Sequence, residues 1–200
     1  MQMNKMLIAA MLSAAPFATM AATAKSVGNL DIYYTDAEVE VTGGDDDGDG
    51  FGVRGAGKIS DQAFVFGEYQ KNEYDDSNLE LQQIRAGLGY LFSTSDTLDL
   101  YGKASFLNFD AEAGGSSEDD NGWGVHGGVS FVVTPAIRLF AEIGYLDVGD
   151  SDGPEYNFGG NFMFTEQVGL TANYRISDFD VDGGGELKLN DLQVGVRFNF

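Results

Sequence analysis

To the end of the chain, Leu192, Val194, Val196, Phe198 and Phe200 alternate with Gln193, Gly195, Arg197 and Asn199. A period of two marks a strand with one apolar and one polar face. The same alternation recurs upstream. Ile84, Ala86, Leu88, Tyr90 and Phe92 stand against Gln83, Arg85, Gly87 and Gly89, and Val168, Leu170, Ala172, Tyr174 and Ile176 against Gly169, Thr171, Asn173 and Arg175. Trp123, Val125, Val129, Phe131 and Val133 form a third such row. The pattern predicts ten strands, over 27–41, 50–60, 62–72, 79–92, 97–109, 122–133, 136–147, 156–165, 167–177 and 186–200. An even number of antiparallel neighbours is what a closed, up-and-down all-β barrel requires, with eight strands as the alternative count. The segment 27–41 breaks the rule. Leu30, Ile32 and Tyr34 share a phase with Asp36, Glu38 and Glu40, while Val39 and Val41 take the other, which predicts a phase-flipping bulge.

Two kinds of connection alternate between these strands. Long, acidic, glycine-rich ones are expected at Gly43 to Asp49, Glu73 to Asn78, Asp110 to Asn121, Val148 to Glu155 and Ser177 to Gly185. Tight turns are expected near Ser60-Asp61, Ser93 to Asp96, Thr134-Pro135 and Thr165-Glu166. Long loops at one rim and short turns at the other are the asymmetry of membrane barrels, whose long loops face outside and whose termini face the periplasm.

Alternation alone does not separate a membrane barrel from a soluble one with its apolar face inside. The polar face decides it. That face is built from Gly, Ser, Thr and Arg, which suits a narrow lumen and not a solvated outer surface. Arg54, Arg85, Arg138, Arg175 and Arg197 all fall in it, and on a lipid face each would cost about 2–4 kcal/mol near the bilayer midplane. The apolar face is therefore expected to meet lipid, with aromatics such as Tyr90, Phe92, Trp123, Tyr145, Tyr174, Phe198 and Phe200 toward the strand ends.

Residues 1–24 read as a cleavable secretory signal peptide, leaving residues 25–200 as one barrel domain. Lys5 supplies the positive start, Met6 to Met20 an apolar stretch broken by Ser13, Pro16 and Thr19, and Ala22-Thr23-Ala24 the cleavage motif. That stretch is short of the ~20 residues of a spanning helix, which argues against an uncleaved anchor. Cysteine is absent. With 32 Asp and Glu against 11 Lys and Arg, the chain lacks the basic surface that nucleic acid requires. Its 15 Phe and 9 Tyr argue against disorder despite the charge.

The signal, the strand layout and the terminal Phe together resemble the single-domain bacterial outer-membrane β-barrel proteins. The layout is similar to the barrels of outer-membrane proteins A and X, which have eight strands. Gly50-Phe-Gly-Val-Arg-Gly55, Phe66-Gly-Glu-Tyr69, Arg85-Ala-Gly-Leu-Gly-Tyr90 and Val194-Gly-Val-Arg-Phe-Asn-Phe200 resemble the signal-factor-regulated subgroup. The resemblance implies an outer-membrane location, with Phe198 and Phe200 as the assembly signal, and with secretion and barrel-assembly machinery, outer-membrane lipid and lipopolysaccharide as partners. No peptidoglycan-binding domain is expected after Phe200.

Three candidate sites follow. Arg54, Lys58, Glu68, Arg85, Lys103, His126, Arg138, Glu142, Arg175 and Arg197 are expected to line the lumen, either as an ion-pair plug or as a narrow pore passing ions or small solutes. His126 with Ser130 and Glu142 resembles the set of barrel lipid A deacylases. That family places its serine two residues from the histidine, where this chain has Gly128, so a solvated lumen histidine is expected and no catalytic residue is assigned. Asp45, Asp47 and Asp49, and again Asp178, Asp180 and Asp182, open D-x-D-x-D-G runs like a calcium loop. The twelfth positions are Ala56 and Leu189 where a bidentate Glu is required, so loose divalent-ion contact at the rim is the expectation and no cofactor is assigned. Two functions stay open: a small porin, or a barrel whose acidic loops meet ligands, hosts or lipopolysaccharide.

Overall fold

The computed structural model describes residues 28–41, 43–181 and 183–200. The expected signal peptide and Asp182 lie outside the described residues. Ten strands, β1 (Asn29–Val41), β2 (Gly44–Lys58), β3 (Ala63–Tyr74), β4 (Glu80–Thr94), β5 (Leu98–Ala113), β6 (Ser116–Thr134), β7 (Ile137–Val148), β8 (Ser151–Met163), β9 (Val168–Val181) and β10 (Gly185–Asn199), close into one antiparallel barrel in which β1 pairs with β10. Closure leaves no edge within the apolar zone, the condition for a sheet to sit in lipid.

Four tight turns occupy the end that carries the termini, and each opens on a hydroxyl. Ser60 Oγ accepts from Ala63 N (3.0 Å), Ser95 Oγ from Leu98 N (2.9 Å), Thr134 Oγ1 from Ala136 N (3.3 Å) and Thr165 Oγ1 from Val168 N (3.0 Å). These side chains satisfy backbone donors that the ladder cannot. Phe200 N donates to Gly28 O (3.0 Å), tying the end of the chain to its beginning.

The far end corrects the sequence reading. Four of the five acidic stretches are mostly strand, not loop: β2 begins at Gly44, β6 at Ser116, β8 at Ser151, and β9 runs to Val181, while Glu73 to Asn78 does hold the connection between β3 and β4. Most of the hairpins there turn within a few residues; Gly114 (φ 59°) and Gly115 (φ 84°) join β5 to β6 in a left-handed pair that only glycine adopts freely. Acid and glycine signal turns within a half-buried sheet, but a strand standing in water keeps its ladder with any polar side chain. The expected bulge in β1 is also absent, since its register with β10 and β2 is continuous.

Polarity inverts as the barrel leaves the apolar zone. On β1, Leu30, Ile32 and Tyr34 face outward, and Asp36, Glu38 and Glu40 follow in the same row. Inward, Asp31, Tyr33 and Thr35 give way to Ala37 and Val39. On β9, Thr171, Asn173, Arg175 and Ser177 point in and are followed by Phe179, while Asp178 and Asp180 point out. The far end is thus built like a soluble barrel, with its apolar side inside. Aromatics mark the boundary: Tyr34, Phe51, Phe106, Trp123, Tyr145 and Tyr156 are exposed at the last outward apolar position of their strands. Tyr90, Phe92, Phe131, Phe162, Phe164, Phe198 and Phe200 are exposed toward the other end, completing two girdles.

Outside that boundary, Asp46 organises the β3–β4 turn. Its carboxylate accepts from Ser77 Oγ (2.5 Å), Ser77 N (2.8 Å) and Asp76 N (2.9 Å). These bonds, that from the Ser77 hydroxyl first, hold its pKa below the ordinary 3.8. A carboxyl with a lowered folded pKa binds fewer protons folded than unfolded, so the tie is at full strength above that ordinary value and is lost as pH falls below it. Amide exchange at Asp76 and Ser77 is expected to speed up on acidification through this range, and Asp46→Asn to remove most of the pH dependence, as read by hydrogen exchange.

Candidate functional site

Inward-facing side chains form three layers. At the far end, Ala37, Val39, Tyr74, Leu81, Leu107, Leu146, Val148, Phe179 and Leu189 form a buried apolar cluster. Its members come from β1, β3, β4, β5, β7, β9 and β10, so they meet across the bore. Leu107 and Leu146 are 0% exposed. Below this cluster lies a buried polar layer, and below that a cavity of about 270 Å³ toward the end with the termini.

The polar layer has two centres. Glu155 receives a bidentate pair from Arg85, Nη1 to Oε1 at 2.7 Å and Nη2 to Oε2 at 2.8 Å. It also meets His126 Nε2 (2.9 Å) and accepts from Ser177 Oγ (2.7 Å). Arg175 donates to Gln70 (2.6 Å), Asp191 (3.0 Å) and Glu68 (3.1 Å). Tyr33 Oη closes on Glu68 (2.5 Å), and Gln193 links Gln70 (2.6 Å) to Arg54 (3.2 Å). Bidentate and multiply bonded geometry of this kind is what lets buried charge persist, because each lost partner would leave an uncompensated ion.

Nearer the termini the networks are smaller, and Asp31, 3.4 Å from Arg54 Nε, links this level to the layer above. Arg197 holds Asp31 through two bonds of 2.7 Å, Arg138 holds Asp99 (2.7 Å) and Ser130 (2.6 Å), and Glu142 accepts from Lys103 (2.7 Å) and Tyr101 (2.7 Å). Lys58 faces the cavity and is exposed.

All ten residues expected in the lumen therefore point inward, and the two networks bring five of them together: Arg85 and His126 on Glu155, and Arg54, Glu68 and Arg175 in the other. The carboxylates Asp31, Asp99, Asp191 and Glu155 were missed. The first three share a strand phase with Tyr33, Tyr101 and Gln193, so alternation could have found them. Glu155 ends the acidic, glycine-rich stretch expected as a loop from Val148, yet it is 2% exposed at the centre of the barrel. These acids interleave with the arginines and offset them.

The histidine does not join a hydrolytic set. His126 pairs with Gly144 in the register, which leaves Glu142 diagonal to it, but His126 bonds Glu155 while Ser130 bonds Arg138. The described aspartates of the D-x-D-x-D-G runs lie on strands and not in loops. Asp45, Asp47 and Asp49 lie on one outward row of extended β2, and Asp178 and Asp180 on one of β9, where successive carboxylates are strung out about 7 Å apart along the strand instead of wrapping a centre. Among the described residues no group of three His, Cys, Asp or Glu is arranged to hold a metal ion.

A closed antiparallel barrel with an outward apolar band, two aromatic girdles and a charged interior defines a transmembrane β-barrel. The chain belongs to the outer membrane protein β-barrel domain family, whose model matches residues 7–155, and that family places it in the bacterial outer membrane. No curated protein matches it. Among solved structures it is similar to neisserial surface protein A, with 20% identity over 88% of this chain and 98% of that one and a TM-score of 0.49. It is similar also to the attachment invasion locus protein Ail of Yersinia pestis (17%, 86% and 99%, 0.40) and to the NanC porin (14%, 86% and 100%, 0.45). At such identity and score these likenesses assign no function.

Proposed function

We propose that this protein is a closed outer-membrane barrel that passes no solute and displays an acidic rim at the cell surface. The observation that carries this reading is the buried apolar cluster around Leu107 and Leu146, drawn from strands across the bore and set above a layer of buried, mutually bonded polar side chains. The sequence left plug and pore open; the interleaved acids and this cluster favour the plug. The termini lie on the periplasmic side in this reading, supported by the tight turns at their end and the protruding acidic hairpins at the other.

The rim fits lipopolysaccharide bridged by divalent cations. Asp147, Asp152, Asp180 and Glu186 stand directly opposite one another across β7, β8, β9 and β10. Like charges in that register repel, and a divalent counterion shared with anionic headgroups relieves the repulsion. Phe198 and Phe200 serve the barrel-assembly machinery during biogenesis. A flux assay tests the closed lumen: vesicles holding the folded protein and a chloride-quenched dye admit chloride at the rate of protein-free vesicles, and faster quenching would restore the pore.

A further inference from the structure

Below the polar layer the barrel is not filled. The sheet has spent glycines to keep it open. A Cβ on Gly89 would stand 2.0 Å from Phe64 Cζ, one on Gly87 2.8 Å from Phe66 Cζ, and one on Gly128 2.5 Å from Tyr101 Cζ. Each ring thus lies flat over a glycine of the neighbouring strand and clears the bore. The three rings make one wall, with Phe64 6.4 Å from both Phe66 and Tyr101 between centroids.

Six of the seven cationic side chains in the cavity lining are held by carboxylates: Arg54 and Arg175 by Glu68, Arg85 by Glu155, Lys103 by Glu142, Arg138 by Asp99 and Arg197 by Asp31. The seventh, Lys58, has no partner among the described residues. Asp61 at the mouth is not in ion-pair contact with it. In the register Lys58 stands directly opposite Phe64, so a group held by its ammonium lies beside the ring wall.

We infer that this vestibule is a binding site for a small aromatic carboxylate, the acid on Lys58 and the ring against Phe64, Phe66 and Tyr101. Benzene fits an apolar cavity of about 150 Å³. The 270 Å³ here accommodates one ring, its acid group and little more. The ligand enters and leaves at the end with the termini, because the far end is sealed. The acidic rim lies at the opposite end, beyond the ~10 Å reach of screened charge. Binding does not require that the barrel be silent in a bilayer, so the two readings fail separately.

The test uses 4-fluorobenzoate and the refolded protein in zwitterionic micelles, with folding shown by heat-shifted gel mobility and binding read by 19F NMR. A saturable shift with millimolar Kd is expected. Lys58→Gln should weaken it about 5-fold, the worth of one partly exposed ion pair. Ala56→Phe, which fills the cavity opposite Phe66, should abolish it while the gel shift stays. Neutral 4-fluorobenzyl alcohol should bind more weakly and be indifferent to Lys58→Gln. No saturable shift with folded protein, an unchanged shift in Ala56→Phe, or equal binding of the alcohol would each overturn the assignment.

Discussion

Replacing Glu155 with alanine is expected to lower the unfolding free energy by about 3–5 kcal/mol, the cost of breaking a buried ion pair on one side. Glu155 is the common acceptor for Arg85, His126 and Ser177. Removing it strands a guanidinium that is 6% exposed and leaves the Ser177 hydroxyl without its acceptor. Glu155→Gln should cost less, since the amide oxygen still accepts one bond from Arg85. The double variant Arg85→Met/Glu155→Met should recover much of the loss, because a buried pair replaced as a unit by apolar groups of similar volume is often close to neutral. Urea unfolding in lipid vesicles, followed by gel mobility, measures all three. A single-site loss below about 1 kcal/mol would mean that water reaches Arg85 and that the layer is not packed.

Leu107→Ala and Leu146→Ala are each expected to cost about 2–5 kcal/mol, as for leucines buried in a close-packed core. Both side chains are fully buried, and both sit beside glycines of β6, Leu107 opposite Gly122 and Leu146 opposite Gly124. The neighbouring strand therefore offers no side chain to fill the gap. The two truncations together should also wet the cluster. With Val39→Cys as reporter, a small charged thiol reagent should fail to label the intact barrel and should label the doubly truncated one. Labelling of the reporter at the same rate in both would show that the cluster is already hydrated.

The strand order and the lipid-facing rows were legible because two environments enforce a period of two: hydrocarbon on one side, and on the other a lumen too narrow for anything but polar or small side chains. Arg54, Arg85 and Arg175 declared their direction by the cost of the alternative. Legibility ended where hydrocarbon ends. In β1 the phase never changes, but the residue types on its two faces exchange at Asp36, and a rule that equates apolar with outward reads that exchange as a bulge. The same exchange concealed the seal, since Ala37, Val39 and Phe179 look like misplaced lipid-facing residues until they are seen to meet across the bore. Glu155 was hidden differently, by a Gly-Pro pair that signals a turn but lies inside β8, where Gly153 and Pro154 make no pairs with β9. Which lumen groups bond to which follows from strand registers across the whole closed sheet, and no local pattern carries it.

Single-channel recording across a planar bilayer tests the closed lumen most directly, on refolded protein whose folding is shown by heat-shifted gel mobility. The account predicts a silent membrane with the native sequence, at either polarity and with salts of small or large ions. Reproducible conductance steps from verified folded protein would contradict it.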